Sequence, residues 1–392
     1  MTQRIDFGAI TATVSTFRPS CGGIAEHHAA LVCNNVLLPF SQQLDAILDA
    51  YRHLLSDHLP GSVAVLKRYF LSDAANQADA VQAADMSDCA KSIIQQPPLN
   101  GTKIALWTYL MEVDDASKSC NPLHEPLTTR IKESGLYEVA HGPYRHLWNA
   151  SAYNTATNSE YQTRLLFNEY VMQLAQEGCT LKDNCIRTWL FVNDIDNNYP
   201  GVVTARNRVF FVQGLTQDTH FIASTGIGGR QQNAAVLMQM DNYAVAGLQN
   251  EQIRHLYAPT RLNRTSDYGV SFERGTQVDY GDRRHVFISG TASIDNKGQV
   301  VFTGDVLRQA ERAWGNIQAL LEEAECTFDN VMQMTVYLRD ATDYQTVRPF
   351  FEKQLGTIPH VIVGASVCRP AWLVEMECMA VKETENKDWA KL

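Results

Sequence analysis

Near its C-terminus the chain reads Trp372-Leu373-Val374-Glu375-Met376-Glu377-Cys378-Met379, two acids set two apart in an apolar, strand-forming run. Strand residues alternate faces, so Leu373, Glu375 and Glu377 share one side. A carboxyl on an apolar strand is poorly solvated; its charged form is disfavoured and its pKa rises toward neutrality, which is what a general acid needs. Two same-face acids can also share one proton, and on spacing either can be the donor. Other chemistry-bearing patterns are weaker. His27-His28 and the pair His141 and His146 lack zinc-ligand spacing with partner cysteines, so no metal site is expected. Gly226-Ile227-Gly228-Gly229 lacks the Lys-Ser/Thr ending of a phosphate loop. Cys179 and Cys185, separated by a turn and a strand start, suit packing better than redox work, and no Ser-His-Asp arrangement is present. The expected chemistry is acid–base work without a cofactor.

An acid in a strand needs a sheet to hold it, and the sheet is visible through internal repetition. From Arg312, apolar residues at Ala313, Ile317, Leu320, Leu321 and Ala324 follow helical spacing; a turn at 326–330 leads into the strand Val331–Leu338 and then to Phe350-Phe351. The same order recurs from Leu165, through a helix ending at Gly178, a turn, the strand Thr188–Val192 and Phe210-Phe211. A third, fainter copy runs from Ser41 to Asp73. Loop-like composition places linkers near 115–137 and 245–282. Asp295-Asn296-Lys297-Gly298 marks a hairpin turn. The repetition predicts three related α+β units over residues 1–130, 131–260 and 261–392, each a sheet with helices on one face.

Composition agrees with a folded chain of this size. It has 392 residues, 45% of them hydrophobic, and a formal charge of −10. That charge disfavours nucleic acid as a partner, since each phosphate contact requires a cation. No run of 18 apolar residues offers a membrane span, and the first residues lack a secretory layout. Nine cysteines, an odd number without C-x-x-C pairs, read as reduced thiols of a cytoplasmic protein.

The last unit resembles the Rid (YjgF-like) family through Ile288-Ser289-Gly290-Thr291-Ala292, the helix entry at Asp305, Thr335-Val336-Tyr337-Leu338-Arg339-Asp340 and Phe350-Phe351. Proteins of that family are small α+β units that form trimers with ligand sites between subunits, so three units in one chain imply an intramolecular pseudo-trimer that is a monomer or a weak homo-oligomer. Within the family, Tyr268-Gly269-Val270-Ser271-Phe272-Glu273-Arg274-Gly275, Ser289 to Asp295, Val367-Cys368-Arg369-Pro370 and Leu373 to Glu377 look like the chorismatases, which remove pyruvate from chorismate. Rid deaminases carry an arginine shortly after the proline of the penultimate strand; Pro359-His360-Val361-Ile362-Val363-Gly364 has none, which argues against imine deamination.

The resemblance implies a role for each of five residues. Glu375 is the acid that protonates the enol ether of chorismate. Arg348 matches an arginine that clamps one substrate carboxylate, and Arg206, with Arg208 and Arg230 as rivals, matches the region that binds the other. Tyr268 matches a pocket tyrosine. Cys368 stands where the chorismatases that yield 3-hydroxybenzoate carry a cysteine. A dianionic small molecule is thus the expected partner, and two fixed arginines its anchors.

Overall fold

The computed structural model describes residues 1–113, 127–265 and 269–392. The first unit comprises β1 (Thr2–Asp6), β2 (Ile10–Phe17), β3 (Ile24–Cys33), α1 (Phe40–His53), β4 (Val63–Leu71), α2 (Ala74–Ala84), β5 (Ala90–Gln95) and β6 (Ile104–Val113). The middle unit repeats the order with β7 (Thr128–Ile131), β8 (Tyr137–His141), β9 (Tyr144–Tyr153), α3 (Ser159–Gln176), a one-turn α4 (Leu181–Asn184), β10 (Cys185–Val192), α5 (Ile195–Val212), β11 (Ala223–Gly228) and β12 (Met238–Ala246). In the C-terminal unit stand β13 (Ile253–Leu256), β14 (Gly275–Asp279), β15 (Arg283–Ala292), α6 (Val306–Glu323), β16 (Val331–Leu338), α7 (Tyr344–Leu355), β17 (His360–Gly364) and β18 (Val374–Glu383).

All three sheets have six strands in one shared order; taking the C-terminal unit, this is β13-β14-β15-β18-β16-β17. In each unit the final strand inserts at the centre, antiparallel to both neighbours, and the helix crossover leaves one parallel pair at the edge: β4 with β5, β10 with β11, β16 with β17. The α+β class and the threefold repetition read from sequence are both present. Two stretches expected as linkers are instead strands, since 115–137 contains β7 and 245–282 contains β13 and β14. β7 and β13 are short edge strands, β7 being exposed throughout, and an edge strand needs no apolar face of its own; β14 lies inside the sheet and is buried, but its Gly275-Thr276-Gln277-Val278-Asp279 carries one apolar side chain. Consequently the middle sheet begins at Thr128 and the C-terminal sheet at Ile253, upstream of residues 131 and 261.

One face of each sheet packs under its helices; the other turns toward a common axis. There the Trp148 and Tyr243 rings stack with centroids 4.2 Å apart, and Tyr243 meets Phe287 of the C-terminal unit at 5.4 Å. Polar ties cross the same axis. Glu26 on β3 receives Arg283 Nη1 at 2.6 Å, sits 2.8 Å from His285 Nε2 and takes the Tyr109 hydroxyl at 2.6 Å. Burial pushes the Glu26 carboxyl up, but His285 and Arg283 outweigh it and hold the group well below its usual range. Each seam also carries a backbone bridge between units: Gln95 to Arg230, Ile227 to Val367, and Pro98 to Val363. Among the described residues no helix is long and apolar enough to cross a membrane.

Arg283 is wholly buried between Glu26 and Asp282, and Glu26 also meets His285 and the Tyr109 hydroxyl, so Glu26→Ala leaves Arg283 its Asp282 partner but removes the acceptor these groups share. The variant is expected to lose about 1–3 kcal/mol, the cost of buried polar groups left short of a partner, read as a lower urea midpoint.

Candidate active site

β18 delivers Glu375 to the seam between the middle and C-terminal units. Its Cα partners are Ala292 on β15 and Tyr337 on β16, so it lies at the centre of the sheet rather than at an edge. Only 4% of the residue is exposed. The carboxyl is pushed up to about 8, first by burial and then by the nearby charge of Glu377, against the pull of Arg187 and Arg274. At neutral pH it therefore holds its proton.

Glu377 separates cleanly from Glu375 although both occupy one strand face. Its Oε2 accepts from Arg187 Nη2 at 2.6 Å and from the Thr225 hydroxyl, and its Oε1 accepts from Trp189 Nε1 and the Tyr337 hydroxyl, each at 2.9 Å. A carboxylate so fully engaged is an acceptor, not a donor. The two carboxyls, equivalent by spacing, thus differ in their surroundings: Glu377 is held by four donors, whereas Glu375 is the one that burial pushes up.

A cleft opens in front of Glu375. The middle unit lines it with Tyr199 and Arg206 from α5 and with Ser224 and Gly226 from β11; Phe272, Arg274, Cys368 and Trp372 come from the C-terminal unit. Two glycines make the room. A Cβ at Gly290 would run into Glu375 Oε1, and one at Gly226 would lie 2.8 Å from the Tyr199 ring. The Gly290 amide donates to Thr225 Oγ1 at 2.8 Å, fixing the two units against each other beside the acid.

Arg206 supplies the cation. It is 1% exposed, and its Nε and Nη2 are buried without a hydrogen-bond partner. Those two nitrogens form the side-on edge of the guanidinium, the geometry that can pair a carboxylate through two parallel bonds. Its rivals Arg208 and Arg230 are both exposed and do not line the cleft. Arg274 is buried too, braced by Asn263 Oδ1 at 3.1 Å. The Trp372 Nε1 is another buried donor without a partner in the lining.

Cys368 reaches the cleft half-buried. Burial first, and then Glu375, push its thiol up to about 12, so the sulfur is un-ionised near neutral pH.

Arg348 is a correction. Its guanidinium is half exposed on α7 and donates to Glu352 at 2.7 Å. The reason is the pseudo-threefold arrangement: each cleft takes its helix from the neighbouring unit, so α5 serves Glu375 while α7 faces the seam with the first unit. There Tyr344 and Glu352 line a different cleft with Thr13 and Val32. Tyr268 lies outside the described residues. The residues that sequence reasoning did not single out are Arg187, Thr225, Tyr199 and Trp372. Arg274 stood inside a quoted motif without being assigned; for Tyr199 no local signal existed.

Strand register identifies the equivalents of Glu375. Phe191 pairs with Gln239, and Phe70 with Ala105, as Tyr337 pairs with Glu375. The acid is present at one of three related positions.

Residues 276–382 match the family model described as endoribonuclease L-PSP. A RutC family protein of Pyrococcus abyssi is 33% identical over 100 residues, which are 25% of this chain and 79% of that protein. The 2-iminobutanoate/2-iminopropanoate deaminase of Mus musculus is 30% identical over 113 residues, 28% of this chain and 81% of the relative. A crystal structure of a chorismatase superposes with a TM-score of 0.63 at 18% identity, covering 83% of this chain and 95% of that one. At that identity the likeness is one of fold.

Gly290→Ala tests the geometry directly. The added methyl should displace the Glu375 carboxyl toward water, and its titration, followed by carbon-13 NMR of labelled glutamate, should fall from about 8 toward the ordinary carboxyl range.

Proposed function

The chain belongs to the Rid (YjgF-like) family, and from that premise we propose that the Glu375 cleft cleaves the enol ether of chorismate, releasing pyruvate and a hydroxybenzoate. The observation that carries this reading is a protonated buried acid facing an arginine whose carboxylate-binding edge has no protein partner. The chorismatase-like fold over most of the chain supports it.

Arg206 acts on Cys368 and Arg274 on Glu375, which orients the dianion. The ring carboxylate pairs with Arg206, and the enolpyruvyl carboxylate with Arg274, setting the methylene carbon against the acid. Phe272, Ile294 and Trp372 give the ring an apolar bed. Glu375 transfers its proton to the methylene carbon; the enol π electrons form that C–H bond and leave an oxocarbenium at the ether carbon. The new Glu375 carboxylate stabilises this cation and then takes a proton from the water that adds to it. Collapse of the hemiketal breaks the bond to the ring oxygen, which leaves with a proton, and pyruvate is released. If the ring then loses one hydroxyl as water, the product is 3-hydroxybenzoate. Cys368, as a neutral thiol, favours that outcome by its position against the ring.

Imine deamination, the activity named for the mouse relative, is the second reading. It lacks the strand arginine between Pro359 and Gly364, a stretch that lines the seam without the acid.

Incubation with chorismate should release pyruvate and 3-hydroxybenzoate, identified by mass. Glu375→Gln is expected to lower kcat by about 10²–10⁴-fold. Release of pyruvate with a dihydro-diol instead would remove the role given to Cys368, and turnover of iminobutanoate but not chorismate would replace this reading by the second. Since the acid works only when protonated, kcat/KM should be level below its pKa and fall as pH rises past about 8. Arg206→Ala should raise KM about 10- to 100-fold, the loss of a charge-assisted pair.

A further inference from the structure

Glu377 performs no step in the reaction above, yet it is the most heavily tethered carboxylate beside the site. Its donors come from β10, β11 and β16, two units reaching across one seam. The first unit adds Arg68, whose Nη1 lies 3.8 Å from Glu377 Oε1 while its Nη2 pairs with Asp241 of the middle unit at 2.9 Å. The buried charges in this group match: two arginines, Arg68 and Arg187, against two carboxylates, Asp241 and Glu377. An ionised Glu375 would be a third anion with no cation of its own inside the cluster.

Resting on the reading of Glu375 as the acid, we propose that Glu377 is its positioning residue, a fixed negative charge that keeps Glu375 in the acid form and that stays in place only when all three units are assembled around it. Thr225 provides the mechanical link. Its hydroxyl donates to Glu377 and accepts from the Gly290 amide, and Gly290 is the residue against which Glu375 Oε1 rests. The first unit, which carries Ala105 at the equivalent position, thus serves the cleft from the far side of the axis through Arg68.

Other charges face Glu375, and each has a defined sense. Arg187 on β10 and Arg274 before β14 favour its ionised form. Arg206 on α5 and Arg369 lie across the cleft, Cys368 is an un-ionised neighbour, and Tyr337 on β16 keeps its proton and spends it on Glu377. Glu377 is the anion among them.

The test is Glu377→Gln, which keeps the shape and removes the charge. Glu375 should then titrate about one pH unit lower, measured by carbon-13 NMR of labelled glutamate with Glu375→Gln for assignment. The alkaline limb of kcat/KM should move by the same amount in the same direction. A role in packing alone would leave both unmoved, and that result overturns the proposal. Wild-type protein provides a further check, since a Glu375 that titrates in the ordinary carboxyl range ends the proposal without any variant. The NMR titration needs no turnover, so a protein inactive on chorismate loses the functional reading while this one stands or falls on its own.

Discussion

The buried ion group around Glu377 is the constraint on which the rest of the architecture depends. Arg68, Arg187, Asp241 and Glu377 come one from the first unit, two from the middle and one from the C-terminal unit, and none can reach water. Desolvating four charges is costly unless each meets an opposite partner in good geometry. Here Arg68 pairs closely with Asp241 and Arg187 with Glu377, while Arg68 lies 3.8 Å from Glu377, so the four charges depend on the relative placement of all three sheets. Apolar stacking of Trp148, Trp189 and Tyr243 tolerates small slides, whereas the Arg187–Glu377 pair at 2.6 Å does not. The aromatic residues pack along the axis, and the ions select the register.

From that placement the cleft follows. Edge strand β11 is locked to the C-terminal unit through Thr225, Ser224 and the bridge from Ile227 to Val367, which brings α5 over β18. Arg206 and Glu375 thereby face each other although they belong to different units. The same neutral ion group that orders the axis leaves no spare cation for Glu375. Structural specificity and acid chemistry share one electrostatic device.

Divergence among the repeats leaves a buried acid at one of the three related positions among the described residues. With three copies in a single chain, each seam is free to change separately, as identical subunits are not. Gln239 at the position equivalent to Glu375 donates to the Ile93 carbonyl at 3.2 Å, tying its seam shut. Ala105 at the third position has no polar group at all. The middle unit has become a supplier of cations and walls, and the first unit a buttress of the ion group.

Much was legible in the sequence because it is local. Alternation along 373–379 placed both acids on one strand face, helical spacing located α1, α3 and α6, and the repeated helix–turn–strand order revealed three units. The motifs around Ser289-Gly290 and Cys368-Arg369 supply Gly290, Cys368 and Arg369 to the cleft that Glu375 lines. Short polar strands such as β7 and β13 escaped, because an edge strand has no period of its own to display. Arg348 misled for a related reason: its place beside Phe350-Phe351 is a local likeness, while membership of a cleft depends on which unit's helix crosses the seam. Which of Glu375 and Glu377 keeps the proton was likewise undetermined by composition, since two identical side chains two residues apart differ only in their surroundings. Tertiary structure set the two apart by giving Glu377 four donors drawn from distant segments and Glu375 burial beside the charge of Glu377, because a pKa is set by the field of the neighbours and those neighbours meet only in the folded chain.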